Sequence, residues 1–375
     1  MGRIIRVGVL GLRRGAALAR FAQQAGMQVV AVCERDDQRR QQLAQALGAE
    51  GYGDVEQFLE HDMDAAILAN DFDKHAPVAI RALDRGLSVL SETAACRTVG
   101  EGVALVEAAL RSSGIYMFAE NYPYAPFSLE MRRRYRAGDI GEVRYAEAEY
   151  VDSHPDLAWF LTDGAHWRAR TPTTYLCTHS LAPVAAVTGT RPVRVSGFVV
   201  PTARGPETLE GPDQGRGWAS LLVVRLSNGA VFKALHGFLA AGQRSWVRIQ
   251  GDLGLMENLR HGDTRSLRVV LDGEDGHQAE EVLLPWPPEL PATPADPLGD
   301  GVAETAMLRD FASAIRQGKA PDQDVHFGVD LSIVGIQAMR SCLAGSVPVE
   351  VPDLRRPEVR QEYAADDWFP DLPEQ

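Results

Sequence analysis

The chain has 375 residues, 45% of them hydrophobic, and a formal net charge of -13. That length suits two domains with sizeable cores. So acidic a chain lacks the basic surface that nucleic acid or an anionic membrane selects, which leaves a small molecule as the expected partner.

Four widely spaced cysteines, Cys33, Cys96, Cys177 and Cys342, form no CxxC pair and no zinc spacing. They read as reduced thiols of a cytoplasmic protein with no bound metal. The N-terminal RIIRVGVLG enters a strand pattern at once, without signal-peptide layout. No apolar run is long enough to span a bilayer.

The first half alternates two periods. Ile4–Leu10 is a short apolar run ending at a glycine, as in a buried parallel strand. Leu18, Phe21, Ala22 and Ala25 then repeat at helical spacing, with Gly26 at the C-cap position. Strand MQVVAVCE, helix DDQRRQQLAQAL before Gly48, strand AAILAN, helix KHAPVAIRALDRG, strand LSVLSE, helix TVGEGVALVEAALRSSG and strand IYMFAE follow. This alternation predicts an α/β fold with a doubly wound parallel Rossmann sheet over residues 1–122.

Beyond residue 122 the pattern changes. A helix around FSLEMRRRYRAG precedes strand-like runs EVRYAEAEYV, RPVRVSGFVV, ASLLVVRLSN, AVFKALHGF and SWVRIQG, two of them joined by an Asn228-Gly229 hairpin signal. Residues 123–375 therefore read as an α+β domain with a large, mostly antiparallel open sheet, serving substrate binding and oligomerisation. The run PWPPELPATPADP reads as a loop, DGVAETAMLRDFASAIRQG as a helix, and DWFPDLPEQ as a poorly ordered end.

The turn VGVLGLRRGAALA carries the first chemistry. A dinucleotide fold needs glycine where the first strand turns and where backbone nears the pyrophosphate, and a small residue where helix meets strand. Gly11 and Ala16 fit the first and third roles, Arg13 stands at the second, and Gly15 supplies slack nearby. Leu12, Arg13 and Arg14 then line the turn. Glu34 ends the second strand at the distance expected of a ribose-binding carboxylate, which favours NAD over NADP, with Arg35 beside it. Asn70, at the end of AAILAN, and His75, opening the next helix, point to the cofactor edge; for His75 a capping or packing role stands equal.

Trp167 and Arg168 suit a carbohydrate, since an indole face stacks on a pyranose ring and a guanidinium grips hydroxyls. A surface loop is the plainer alternative. His236 reads as a cross-strand structural residue, with a place facing the cleft from the sheet as the alternative, and MRRRYRAG as a solvated helix face.

The order of IRVGVLGL, GYGDVEQFLEHDMDAAILAN, VLSE, AEN at Glu120 and Asn121, GDIGEVRYAEAEY and SCLAGSVPVEVPD resembles the glucose-fructose oxidoreductase and inositol dehydrogenase (Gfo/Idh/MocA) family across nearly the whole chain. The resemblance implies an NAD-dependent enzyme acting on a sugar, cyclitol or related polyol, and a homodimer or homotetramer. It implies that Glu92 lies at cofactor and substrate, and that Asn121 lies by the nicotinamide or a substrate hydroxyl. Tyr124 stands where an arginine is common. Glu-Lys-Pro is the family's usual reading after VLS, its lysine assisting proton movement. This chain has Glu92-Thr93-Ala94, and its three lysines are Lys74, Lys233 and Lys319. In TTYLCTHSLAP, His179 matches the family's catalytic histidine and Tyr175 stands in the place of an aspartate four residues earlier. A neutral imidazole suits proton acceptance near neutral pH. For Tyr175, donation to a sugar oxygen and packing beneath the helix are equal readings.

Three functions follow from this resemblance. The first is a dehydrogenase passing hydride from a ring carbon to NAD. The second is a redox-neutral glycosidase, because the lysine-less strand end and THSLAP resemble the branch of NAD-dependent α-N-acetylgalactosaminidases, whose tyrosine matches Leu176 here. That branch implies transient oxidation, elimination, water addition and hydride return, unlike the paired-carboxylate route. The third is a non-catalytic NAD-binding regulator.

Overall fold

Strand β1 (Arg6–Leu10) is buried at every residue but its first, so both of its faces are covered. In the computed structural model, residues 3–152, 167, 171–201, 217–239, 245–260, 266–273, 278–284 and 301–370 are described. Around β1 a six-stranded sheet runs in the order β3-β2-β1-β4-β5-β6, with β2 (Gln28–Cys33), β3 (Glu50–Tyr52), β4 (Ala65–Leu68), β5 (Ser88–Ser91) and β6 (Tyr116–Phe118). Every pairing is parallel. Val7, Val9, Ile67, Leu68, Val89 and Leu90 are wholly excluded from solvent. Burial of each such side chain contributes about 1.5–3 kcal/mol. The order reverses between β1 and β4, the switch point where such sheets bind ligands.

The helices of this unit differ at their N-termini. Asp36 accepts from the Arg39 N–H at the head of α2 (Asp37–Leu47), and Asp54 accepts from Gln57 ahead of α3 (Val55–Leu59). Thr98 accepts from Glu101 at α5 (Val99–Arg111). Helix α1 (Gly15–Gln24) has neither a side-chain cap nor an acidic residue in its first turn, and α4 (His75–Asp84) is likewise uncapped. The open end of α1 lies directly after β1.

Two compact units divide the chain, the first from Met1–Asn121, Glu304–Val329 and Leu354–Trp368, the second from Tyr122–Ala303, Asp330–Asp353 and Phe369–Gln375. A single division at residue 122 provides the first crossing and not the later returns. Those returns are hydrogen-bonded: Phe118 N–H donates to the Gln323 carbonyl at 2.8 Å, Gln323 Nε2 donates to the Glu120 carbonyl at 3.1 Å, and Gly100 N–H donates to the Asp366 carbonyl at 2.8 Å. The stretch expected to be poorly ordered is described as far as Pro370, which is buried. The Pro-rich loop 285–297 and residues 371–375 lie outside the described residues.

The second unit holds a sheet of nine strands among the described residues, in the order β14-β13-β12-β11-β7-β10-β9-β8-β15. Its core strands are β7 (Val143–Asp152), β8 (Pro192–Pro201), β9 (Gly217–Leu226), β10 (Val231–Phe238) and β11 (Trp246–Gly251). Strands β12 (Gly254–Asn258), β13 (Leu267–Asp272), β14 (Gln278–Leu284) and β15 (Val349–Glu350) complete it. Only β7 and β10 pair in parallel; the rest is antiparallel. Asn228-Gly229 makes the expected hairpin, with Gly229 at φ 89° and Ala230 N–H donating to Asn228 Oδ1 at 3.1 Å. Helices α6 (Pro126–Ala137) and α7 (Thr178–Thr188) and the end of the long helix Val325–Leu343 belong to this unit. No helix among the described residues is long and apolar enough to cross a membrane.

The long helix meets β8 by direct backbone contact: a β-carbon on Gly197 would lie 2.5 Å from the Ala338 carbonyl oxygen, and Gly197 N–H donates to Ser341 Oγ at 3.0 Å. Gly197→Val is expected to lower the unfolding free energy by about 3 kcal/mol, since neither backbone can yield. Urea denaturation checks this, and an unchanged midpoint would contradict the contact.

Candidate active site

Gly11 turns the chain at φ 83°, and a β-carbon there would lie 2.4 Å from the Ala69 carbonyl oxygen. Gly11 N–H donates to the Cys33 carbonyl at 2.9 Å, while Ala69 N–H donates to the Leu10 carbonyl at 2.8 Å. The turn is thereby pinned between β2 and β4, with α1 opening beyond it. Exposed N–H groups and the helix dipole at such an end attract phosphate. Arg13 is solvent-exposed there, adding positive charge.

Glu34, at the end of β2, accepts from Leu12 N–H at 2.9 Å through one oxygen, and from Arg35 N–H at 2.8 Å and Asp36 N–H at 3.3 Å through the other. Burial pushes its carboxyl up, but the backbone donors and Arg39 outweigh that and hold it below its ordinary value. A carboxylate oxygen has two acceptor directions, so Glu34 braces the turn and still retains acceptor capacity. Arg35, which is exposed, extends to half-buried Asp71 at 2.7 Å.

Arg14 turns the other way. Its Nε donates to Glu92 Oε1 at 3.1 Å and its Nη2 to Glu304 Oε1 at 2.8 Å. Asn121 Nδ2 donates to the same Glu304 oxygen at 3.1 Å. Burial opposes the Arg14 charge, but Glu92 and Glu304 outweigh it and hold the guanidinium protonated well above its usual range. Sequence spacing gave no sign of Glu304, which lies 290 residues from Arg14. His75 is buried, with Nδ1 3.0 Å from the Ala94 carbonyl oxygen and Nε2 3.1 Å from that of Asn70. Burial pushes its pKa down despite these bonds. His75 thus clips together the segments after β4 and β5, the packing role. Asn70 donates to the Asp71 carbonyl at 3.3 Å, while its Oδ1 is buried without a partner among the described residues.

In the second unit, His179 occupies the first turn of α7 and is half-buried. Its ring centroid lies 4.4 Å from that of Tyr150 on β7 and 5.6 Å from that of Tyr122, and the two tyrosines meet edge to face at 5.5 Å. His236 on β10 stands in register with Tyr150, on the same sheet face. It is wholly buried, and neither ring nitrogen has a hydrogen-bond partner among the described residues. Burial first, and the nearby His179 second, push its pKa down to about 3.

Tyr175 is buried. It is 3% exposed, and its ring meets Phe369 edge to face at 5.8 Å. Residues Thr173–Cys177 form a 3-10 turn and not the start of an α-helix. Three residues per turn break the four-residue stacking that would have set Tyr175 on the face of His179. The turn is anchored by Thr173 Oγ1 against Ser220 Oγ at 2.5 Å and by the Cys177 thiol on the Leu331 carbonyl at 3.5 Å. At the short turn Tyr122–Tyr124, the ring measured against His179 is that of buried Tyr122, two residues before the expected Tyr124, which is half-buried. Trp167 is half-buried, its carbonyl accepting from Thr171 Oγ1 at 2.9 Å, and Arg168 lies outside the described residues. Lys233 pairs with Glu147 at 2.6 Å on the sheet face opposite His236. Lys74 pairs with Asp73 at 3.2 Å, and Lys319 is exposed. Tyr150 and Tyr122, like Glu304, were not singled out from the sequence. Among the described residues, no group of three His, Cys, Asp or Glu side chains is placed to hold a metal ion.

A 3-2-1-4-5-6 parallel sheet with an open helix end at its switch point, followed by an antiparallel sheet unit, defines a Rossmann-type dinucleotide-binding oxidoreductase fold. The chain belongs to the Gfo/Idh/MocA family: residues 5–120 match its oxidoreductase domain, described as an NAD-binding Rossmann fold, and residues 128–257 match its C-terminal domain. The cofactor of this domain is NAD. A glycosyl hydrolase family 109 protein of Saccharopolyspora erythraea is 26% identical over 395 residues, spanning 94% of this chain and 83% of that one. An alpha-N-acetylgalactosaminidase of Bacteroides fragilis is 27% identical over 160 residues, 40% of this chain and 38% of that one. Levoglucosan dehydrogenase in complex with NADH shares the fold, with a TM-score of 0.76 at 20% identity, covering 94% of this chain and 100% of that one.

His236 sets a pH dependence. Its folded pKa of about 3 lies below the ordinary 6.5, and His75 shifts the same way. Between those values the unfolded chain binds protons that the folded chain refuses, so stability is full above about 6.5 and falls as pH drops toward about 3. His236→Leu is expected to make this fall shallower in denaturation midpoints measured across that range. An unchanged slope would show that His236 ionises freely.

Proposed function

We propose that this chain is an NAD-dependent carbohydrate oxidoreductase in which His179 accepts the proton of a ring hydroxyl as hydride leaves the same carbon. The observation that carries this reading is the placement of His179 in the first turn of α7 beside Tyr150 and Tyr122. When bound, NAD supplies the hydride acceptor. The residues present fit it: Gly11 leaves out the β-carbon that would strike Ala69, and α1 offers an uncapped N-terminus to the diphosphate. Glu34 holds the adenosine ribose, and Arg13 and the backbone of Leu12 and Arg14 border the diphosphate. Asn70, Glu92 and Asn121 at the strand ends orient the nicotinamide half, and Asn121 and Glu92 also bear on the substrate hydroxyls. Trp167, Arg168 and Tyr124 serve the sugar, the indole stacking on a ring face. The ring contact of Tyr150 with His179 favours Tyr150 over Tyr175 as its proton-exchange partner.

The named relatives favour a second reading, a redox-neutral glycosidase. Oxidation of the ring hydroxyl acidifies the neighbouring C–H, a base removes that proton, and the glycosidic oxygen leaves with a proton from an acid. Water then adds to the unsaturated carbon and the hydride returns, so no net oxidation results. His179 and Tyr150 would supply the acid and base. Leu176 stands where that branch carries its tyrosine.

Self-association as a homodimer or homotetramer is supported by the sheet face opposite His236. There Phe198 and Val223 are 45% and 40% exposed on adjacent strands β8 and β9, a patch suited to a second copy. A Phe198→Glu, Val223→Glu variant is expected to elute as a smaller species than the parent in light-scattering chromatography. The four cysteines are buried and none is in a disulfide, which suits a cytoplasmic setting.

His179→Ala is expected to lower turnover by about 10²–10⁴-fold with NAD still bound; full turnover would remove His179 from the mechanism. Proton NMR in deuterated water with NAD, free sugars, cyclitols and aryl glycosides separates the readings. Stoichiometric NADH with a keto product marks the dehydrogenase. Released aglycone, deuterium beside the oxidised carbon and no net NADH mark the glycosidase. NAD binding without turnover on the whole panel would favour a regulator.

A further inference from the structure

The Arg14 network sits at the carboxyl ends of β5 and β6, where Glu92 and Asn121 follow the strands. One guanidinium faces two carboxylates, which leaves one negative charge. Glu304 is 3% exposed; its Oε1 takes both donors, and its Oε2 is buried with no partner among the described residues. An unpaired buried carboxylate oxygen is costly unless a positive group arrives to compensate it.

A dinucleotide with its adenosine at Glu34, at the end of β2, would cross the switch point between β1 and β4 and bring its other half toward the ends of β5 and β6. That half is the nicotinamide, cationic when oxidised and neutral when reduced. We propose that Arg14, Glu92 and Glu304 form an electrostatic selector that binds the oxidised cofactor more tightly than the reduced one. Glu304 and Arg14 are positioning residues within it: Glu304 holds Arg14 across the strand ends, and Arg14 confines the surplus negative charge to the edge of the nicotinamide site. The inference rests on the NAD-dependent reading above.

The test is the ratio of dissociation constants for NADH and NAD in the full chain. Each constant is measured directly, NADH by its fluorescence and NAD by calorimetry, without turnover. In the parent the ratio exceeds one. Glu304→Gln keeps the shape of the side chain and removes one negative charge, so the ratio is expected to fall about tenfold. Glu92→Gln is expected to move it in the same direction, and decides the matter if Glu304→Gln fails to fold. A purely structural role changes both constants alike, so an unchanged ratio in the folded variants overturns the selector while leaving the NAD reading standing. A parent chain that binds neither form overturns both.

Discussion

The missing side chain of Gly11 is the constraint on which the first unit depends. With the Ala69 carbonyl 2.4 Å from where a β-carbon would stand, only glycine lets β1 turn at the strand-order reversal. The same residue donates to Cys33, and the next one donates to Glu34, so one tight turn fixes the spacing between the ends of β1 and β2. Arg14 follows at a fixed height and can cross to Glu92 only because the turn is held there. Any side chain at position 11 would displace the uncapped start of α1, the Glu34 brace and the Arg14 network together.

The second unit solves a different problem, placing a titratable ring against two tyrosine rings. Register does this. The parallel pairing of β7 and β10 sets Tyr150 beside His236, and α7 lays His179 over Tyr150. A buried imidazole with no hydrogen-bond partner destabilises the folded state as the pH falls, so His236 is held neutral by its surroundings. Two imidazoles this near one another resist simultaneous protonation.

Legibility in the sequence tracked how local each cause was. The buried parallel strands and the Asn228-Gly229 hairpin are written in consecutive residues and were readable as such. Strand β3 was not, because Glu50–Tyr52 is short and none of its residues is buried. The helix Val325–Leu343 is apolar over most of its surface and interrupted by Gly328 and Gly335, so it lacks the polar stripe that marks an amphipathic helix. Gly335 is needed because a β-carbon would lie 2.7 Å from the Thr174 carbonyl oxygen, a contact invisible from sequence distance. The glycine turn after β1 was legible for the same local reason as the strands. Glu304, Tyr150 and His236 depend on long-range folding or strand register. The 3-10 winding of Thr173–Cys177, which sets the burial of Tyr175, is not revealed by four letters of sequence.

The absent lysine takes on meaning from what stands at the strand end instead. Arg14 supplies a cation to Glu92, yet a guanidinium cannot release its proton under ordinary conditions, so it cannot act as an acid or base there. Lys233 is committed to Glu147 on the other face of its sheet. Fixed charge and mobile protons are therefore carried by different residues. The strand ends of the first unit hold a permanent field, which bears on the charge of whatever ring lies against them. Proton exchange needs groups whose ordinary pKa permits it, and the imidazole of His179, half-buried and set against the rings of Tyr150 and Tyr122, is a group of that kind.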